Sequence, residues 1–522
     1  MPRLRRSILL FVASLAFLPI AWSQDLPVIR PGATKSSQPQ TPVKASDDES
    51  QAESDEHWQV ILIDDERAGY VRTRTETLPA KGDLPERIRT NTETKMTVKR
   101  FGQALSIDMD LVTTENLDGE MLSYEFEMGT SPTSTTKSVG TVSGKNLTVK
   151  TTIAGTTHEK TTAWDSTIKS PAYQERVMRE EGLKPGETKT FRTFVPELNV
   201  TTDISVAADD FRDVKLPNGT TRRLLKTKVT QAILPTAPIT AYFDEKGVGV
   251  LAESQMLGMK MRYFDVSKAE ALQEIAGAEL DLAVNTLIPA SPLNDPHATK
   301  EVTYRIHVPG EDAKSLFVDG GTQRVKVIDR ETVEVTVTSK PIPRTGGKVK
   351  ADAEFTGPTQ LLQSNDAKIK EHLRRAVSPD RNEGEAARVL EKYVHEKLDK
   401  KNFSTAFASA AEVADKLEGD CSEHAVLLAA LLRARGIPSR IAVGIVYVPG
   451  QAKMGGHMWT EALFADGWVP LDATLGRGGI GGAHLKVAES SLSNDAPLPV
   501  MTFAPLLSLG PDTQIEVLKV ER

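Results

Sequence analysis

The chain has 522 residues, a formal net charge of −7 and a single cysteine. That length suggests about three or four domains at roughly 100–200 residues each. The acidic balance does not speak for nucleic acid or an anionic membrane surface, and no nucleic-acid partner is expected. One cysteine excludes an intrachain disulfide framework.

Residues 1–6 carry Arg3, Arg5 and Arg6, and residues 7–20 are apolar. Ala21-Trp22-Ser23 offers small residues at the two positions that signal peptidase reads. Residues 1–23 therefore read as a cleavable signal peptide, with cleavage before Gln24 and a secreted or periplasmic product. The apolar stretch is short for a span of about 20 residues and contains Pro19, so no stable membrane span is expected after cleavage. Residues 24–56 are rich in Ser, Pro, Gln, Asp and Glu and lack a period, the composition of a disordered linker.

Residues 57–265 predict an antiparallel β-rich domain. Leu105, Ile107, Met109 and Leu111 alternate with Ser106, Asp108 and Asp110; Asp118-Gly119 turns the chain; Leu122, Tyr124, Phe126 and Met128 then alternate in the same way. Aromatics are only 5% and threonine is abundant in this half, which fits a sheet with one wet face. A short helix is expected near 170–181. His57 and His158 stand alone and read as structural or solvated.

Residues 266–348 read as a helix plus a small β module. Leu272, Ile275, Leu280 and Leu282 give helical spacing over 267–285, which Ile288-Pro289 and Ser291-Pro292 break. Strands follow over 302–306 and 333–337, and 341–347 forms the linker out.

Residues 359–522 begin with helices: one capped by Asn365 or Asp366, a second over 387–398, and a third opened by a Ser409/Glu412 capping box and ended by Gly419. Gly419-Asp420-Cys421-Ser422-Glu423-His424 then opens a fourth. Asp420 stands at the N-cap with Glu423 able to reach back, while Arg433, Arg435, Gly436 and Pro438 mark the other end. Residues 425–432 are apolar on nearly every side, which predicts a central buried helix. The one cysteine thus sits at the positive end of a helix dipole. That position favours the nucleophilic thiolate; the Asp420 charge opposes it, so a partner base is needed.

A base follows. After a strand over 441–448 and a loop over 449–456 come His457, Met458, Trp459 and Thr460, an Asp466-Gly467 hairpin signal, a returning strand over 468–471, and Asp472. Cys421, His457 and Asp472 give a nucleophile, a base and a carboxylate to orient it. A two-residue Asp466-Gly467 turn would set Asp472 opposite Glu461. It would share a face with His457 but lie four residues along, roughly 13 Å at ~3.3 Å per residue. Pro470 cannot donate to a ladder, so a bulge or a wider loop stays open as an alternative.

Gly419-Asp420-Cys421, Arg433-Ala434-Arg435-Gly436-Ile437-Pro438-Ser439-Arg440, Gly456-His457-Met458-Trp459 and Gly467-Trp468-Val469-Pro470-Leu471-Asp472 resemble, in order and spacing, the core of the transglutaminase-like superfamily, over about residues 360–480. The resemblance implies a papain-like layout, contact between His457 and Asp472, and thiol chemistry on a protein or peptide substrate. Helices followed by a strand hairpin fit an α+β fold for this domain, preceded by antiparallel β-rich domains. Trp459 is expected as a wall of the substrate site, and the Cys421 N–H as one oxyanion donor.

Glu423, His424 and Glu461 are explained by capping, packing or solvation. His484 is set aside as a rival to His457 because of its glycine-rich surroundings, and 476–482 reads as a mobile rim. No Cys-x-x-Cys, His-Glu-x-x-His, calcium-loop or phosphate-loop pattern occurs, so neither a metal nor a cofactor is expected. The expected activity is that of an exported thiol enzyme that cleaves or transfers amide acyl groups through a thioester. Hydrolysis is favoured, since the calcium site of animal cross-linking enzymes is missing from the pattern and the exported relatives look bacterial. The alternatives are a protein cross-linking transglutaminase and a non-catalytic envelope binding or scaffold protein that retains the fold.

Overall fold

The computed structural model describes residues 54–522 apart from 83, 101, 132–133, 257, 274–280, 282–285, 401–406 and 496–498. The signal peptide expected over 1–23 and nearly all of the expected linker lie outside the described residues. So does most of the helix expected over 267–285, of which Lys268–Ala271 is described.

The protein is rich in antiparallel sheet. Fourteen strands, from Ser54–Ile63 to Met259–Val266, form one antiparallel sheet in which sequence neighbours pair. The first strand also pairs with the last, Trp58 opposite Val266. The two edges are therefore Thr156–Ala163 and Thr188–Val195, in mid-sequence on either side of the helix Tyr173–Glu181. Alternation does what period two predicts: Leu105, Ile107, Met109 and Leu111 are buried while Ser106, Asp108 and Asp110 are exposed. The inward residues meet Val177 and Met178 of the helix in one core. The Thr156–Ala163 edge is almost wholly exposed and carries His158, Glu159 and Lys160, charge of the kind that discourages pairing with another chain.

A second sheet orders Gln323–Val327, Thr332–Thr338, Glu301–His307 and Gln514–Glu521. The last of these comes from the far end of the chain, with Val302 opposite Val520 and Ile306 opposite Ile515. The segment after about 486, to which the sequence assigned no role, thus closes the sheet of the small module. One apolar core runs from this sheet into the C-terminal domain.

The helix Cys421–Arg435 lies at the centre of that domain, buried from Cys421 to Arg433. Helices Ala367–Ala376, Glu383–Lys397 and Ala410–Lys416 pack on it from one side, and strands Ser439–Val448 and Lys453–Phe464 from the other. The third sheet orders Ile288–Pro289, Lys453–Phe464, Ser439–Val448 and His484–Ser490, with Gly467–Leu471 added on Lys453–Phe464. Two hydroxyls tie helix to sheet: Thr460 Oγ1 donates to the Ala425 carbonyl at 2.9 Å and Ser439 Oγ to the Ala429 carbonyl at 2.8 Å. Glu461 has a structural use. It accepts from Arg440 Nε at 2.8 Å and from Lys486 Nζ at 2.9 Å, joining three strands through buried charge. Among the described residues no helix is long and apolar enough to cross a membrane.

Candidate active site

The start of the buried helix is built as its sequence foretells. The Asp420 side chain accepts from the Ser422 N–H at 2.8 Å, and Glu423 Oε2 accepts from the Asp420 N–H at 2.9 Å, a complete capping box. The cap takes the Ser422 and Glu423 N–H groups and leaves that of Cys421 unused by it. Gly419 enters with φ +147°, and a Cβ there would lie 2.4 Å from Glu423 Cγ, so only glycine fits. Asp420 has a further partner that no local pattern predicts. Arg100 ends the strand Arg87–Arg100 of the fourteen-stranded sheet, and its guanidinium pairs with Asp420 Oδ2. The arginine side chain is 2% exposed and the carboxylate 0%. The N-terminal sheet therefore meets the C-terminal domain one residue from Cys421. The same hairpin end is held by Asp281 Oδ2, which accepts from the Gly102 N–H at 2.6 Å.

The hairpin register differs from the one predicted. Phe464 pairs with Gly467 and Thr460 with Leu471. The turn is thus Ala465-Asp466, and Gly467, at φ +94°, is the flanking residue. Asp472 falls beside Trp459, two residues along from His457 instead of four. That halves the gap to roughly 7 Å at ~3.3 Å per residue, which two side chains span. His457 Nε2 lies 2.8 Å from Asp472 Oδ2. The imidazole is also hydrogen-bonded to Cys421. With Nε2 on the carboxylate, Nδ1 is the nitrogen left for the thiol. Cys421 and Asp472 are fully buried and His457 is 1% exposed. Trp459 stacks on His457, ring centroids 6.2 Å apart and planes 22° from parallel. Gly444 on the neighbouring strand makes room: a Cβ there would sit 3.0 Å from the Trp459 ring and 2.0 Å from the Leu485 carbonyl.

Three residues join this set that the sequence did not assign to it. His484 Nε2 lies 3.0 Å from the same Asp472 Oδ2. Glu391 Oε1 accepts from the N–H of Asp472 at 3.1 Å and of Gly479 at 2.9 Å. His297 packs its ring 5.6 Å from that of His484. In the sequence His484 stood only as a rival to His457, set aside for its glycine-rich surroundings; nothing there singled out Arg100, Glu391 or His297. The expected mobile rim is instead pinned. Gly479 is bonded to Glu391, Gly482 donates to Thr299 Oγ1 at 3.0 Å, and residues 480–483 are buried.

Electrostatics follow from burial set against these contacts. Burial works to lower His457, but Asp472 and then Cys421 outweigh it and hold the imidazole well above its usual value. Burial works to raise Asp472, and His457 and His484 hold it well below the carboxylate range. Burial pushes the Cys421 thiol up; His457 and Arg100 pull it back and Asp420 adds to the rise. The helix-start position therefore does not by itself yield a thiolate in this conformation. Both shifts are upward and have different origins: Asp472 and then Cys421 raise His457 against burial, and burial raises Cys421. Asp472 acts through a 2.8 Å contact, whereas the rise on the sulfur comes first from its burial. Ligand atoms of His457, Asp472 and His484 lie within 4.8 Å of one another. At 2.8 and 3.0 Å the two nitrogen–oxygen separations are those of hydrogen bonds, and the carboxylate is shared between two imidazoles.

Residues 370–473 match the family model of the transglutaminase-like superfamily. The C-terminal part of the chain carries a transglutaminase-like core. Its boundaries take in Cys421, His457 and Asp472 and stop short of His484. Among solved structures, a candidate cysteine protease from Cytophaga hutchinsonii is similar at 15% identity, over 43% of this chain and 85% of that one, with a TM-score of 0.27. A candidate protease from Parabacteroides distasonis is similar at 12% identity, over 72% and 68%, with a TM-score of 0.19. A β-barrel-like protein of unknown function from Brucella abortus is similar at 13% identity, over 41% and 95%, with a TM-score of 0.30. No curated protein matches the chain.

Proposed function

We propose that the protein is an exported thiol enzyme that cleaves amide or peptide bonds through a Cys421 thioester, with water as the favoured acyl acceptor. The observation that carries this reading is His457, whose ring bridges Cys421 and Asp472 at the start of the buried helix. In the first step the Cys421 proton passes to His457 and the sulfur attacks the carbonyl carbon. As the carbon–nitrogen bond breaks, His457 returns the proton to the leaving amine, and Asp472 stabilises the imidazolium in between. The N–H of Cys421 is the oxyanion donor that the cap leaves for the purpose. Water then attacks the thioester, gives its proton to His457, and the thiol is regained; an amine in place of water makes the same step a transfer.

Because Cys421 is fully buried, this reading also requires an opening. We assign it to the seam where Arg100 meets Asp420, since that contact ties the N-terminal sheet to the residue beside the nucleophile. The same burial is the observation in favour of the second reading, a non-catalytic envelope protein that retains the fold.

Iodoacetamide alkylation of the full chain across pH, read by mass spectrometry of the Cys421 peptide, separates the two. The enzyme predicts reaction well below the ordinary thiol pKa of about 8.5 and its loss in His457→Ala. A thiol that reacts only when the protein unfolds supports the scaffold and contradicts the enzyme.

A further inference from the structure

Asp472 does not serve His457 alone. Its Oδ2 lies 2.8 Å from His457 Nε2 and 3.0 Å from His484 Nε2, and its Oδ1 accepts from the N–H groups of Thr474 at 2.9 Å and Leu475 at 3.3 Å. The side chains of both histidines and the carboxylate are 0% exposed. A carboxylate only accepts, so the His484 nitrogen facing it carries a proton. The other nitrogen, Nδ1, is buried and meets no hydrogen-bond partner among the described residues. A proton there would leave a buried cation with an unanswered donor, which is costly. His484 is therefore neutral, with its one proton on Nε2, and burial also holds its pKa below the ordinary value. Its strand, His484–Ser490, fixes the ring from the opposite side to the hairpin that carries His457 and Asp472. Trp459, 5.2 Å away and edge-on, fills the space between.

We propose that His484 is a positioning residue of the reaction: by donating to the oxygen that also receives His457, it fixes the Asp472 carboxylate, keeps it ionised, and limits how strongly that oxygen can hold the imidazolium. The proposal rests on the functional reading above. The titratable and charged groups around the cluster are His457 and, through it, Cys421 with Asp420 and Arg100; Glu391 behind Asp472; His297 from the Pro296–Ala298 turn; and Arg477, which acts on His297. Among the described residues, His484 alone shares Oδ2 with the base.

The test is the pH profile of Cys421 alkylation by iodoacetamide in the full chain, comparing wild type with His484→Phe and His484→Gln. Phenylalanine keeps the ring volume and removes the donor; glutamine keeps a donor. The acid limb is expected to move up by about one pH unit in His484→Phe, a roughly tenfold loss at the acid edge, and to return towards wild type in His484→Gln. A residue that only fills space would lower the rate equally at every pH, and unmoved limbs in His484→Phe overturn the proposal. A wild-type profile with no limb that depends on His457 overturns the functional reading itself, and with it this one. Should His484→Phe fail to fold, the imidazole nitrogen shifts of the wild-type protein decide instead. They are expected to show neutral His484 protonated on Nε2; a cation, or a proton on Nδ1, contradicts the proposal.

Discussion

Arg100→Ala removes the cation from a buried pair and leaves Asp420 where it is. Arg100 is 2% exposed and Asp420 is 0% exposed, so water does not reach the carboxylate while the N-terminal sheet stays docked. Taking one partner from such a pair costs about 3–5 kcal/mol. Asp420 keeps its bonds from the Ser422 N–H and Oγ, both 2.8 Å, so this is an upper range for the loss. The cheapest relief is for the seam to part and water to enter. At tenfold per ~1.4 kcal/mol, the open form would gain up to roughly a hundred- to a few thousand-fold, and at least about tenfold is expected after relaxation. The assay is the second-order rate of Cys421 alkylation at a pH above about 8.5, where loss of the nearby positive charge from the thiol matters least. Arg100→Lys, which keeps the charge, should fall between wild type and alanine. A variant with a lower urea midpoint but an unchanged alkylation rate would refute the opening, because the pair would then hold the fold without guarding the thiol.

Other expectations follow from single contacts. Asp472→Asn keeps a hydrogen-bonding side chain but removes the charge that raises His457; thiol reactivity near neutral pH should fall roughly 10²–10⁴-fold while the urea midpoint is compared as a control for folding. Glu391 is pushed by burial from 4.5 up to about 7, against the N–H groups of Gly479 and Asp472. A raised carboxyl pKa means that the folded state binds the proton more tightly. Its contribution, ~3 kcal/mol from a gap of about 2.5 pH units, is complete below about pH 4.5 and lost as pH rises through about 7. Urea midpoints at both ends of that window should fall with rising pH in wild type and fall less in Glu391→Gln; equal slopes would contradict the assignment. Gly419→Ala forces a Cβ into Glu423 at a φ of +147°, and should cost about 1–3 kcal/mol in thermal or urea unfolding.

The parts of this protein legible in sequence were those set by local rules. The helix Cys421–Arg435, its Asp420 cap with Glu423 reaching back, and the Gly436 stop at φ +88° all follow from neighbours in the chain. So do the alternating strands through Leu105 to Leu111 and the Ser409/Glu412 box. What escaped was set by pairings between distant residues or by fine geometry. A shift of the hairpin turn from Asp466-Gly467 to Ala465-Asp466 decides whether Asp472 can touch His457, and both turns suit those residues. His484 enters the site through the pairing of Val446 with His484, which its glycine-rich flank does not announce. Arg100 reaches Asp420 across 320 positions. Burial of the helix was legible in the apolar run after Cys421, but that this burial raises the thiol against the pull of the helix dipole was not.

The central claim is that the Cys421 sulfur is nucleophilic because His457, held by Asp472, takes its proton. Acid-quenched mass spectrometry after brief exposure to p-nitrophenyl acetate tests it most directly. The account predicts one acetyl group on the Cys421 peptide in wild type, formed in step with a burst of nitrophenol and lost again on standing, and none in His457→Ala. An acetyl group that appears equally in both proteins, or on lysines while Cys421 stays bare, would contradict it.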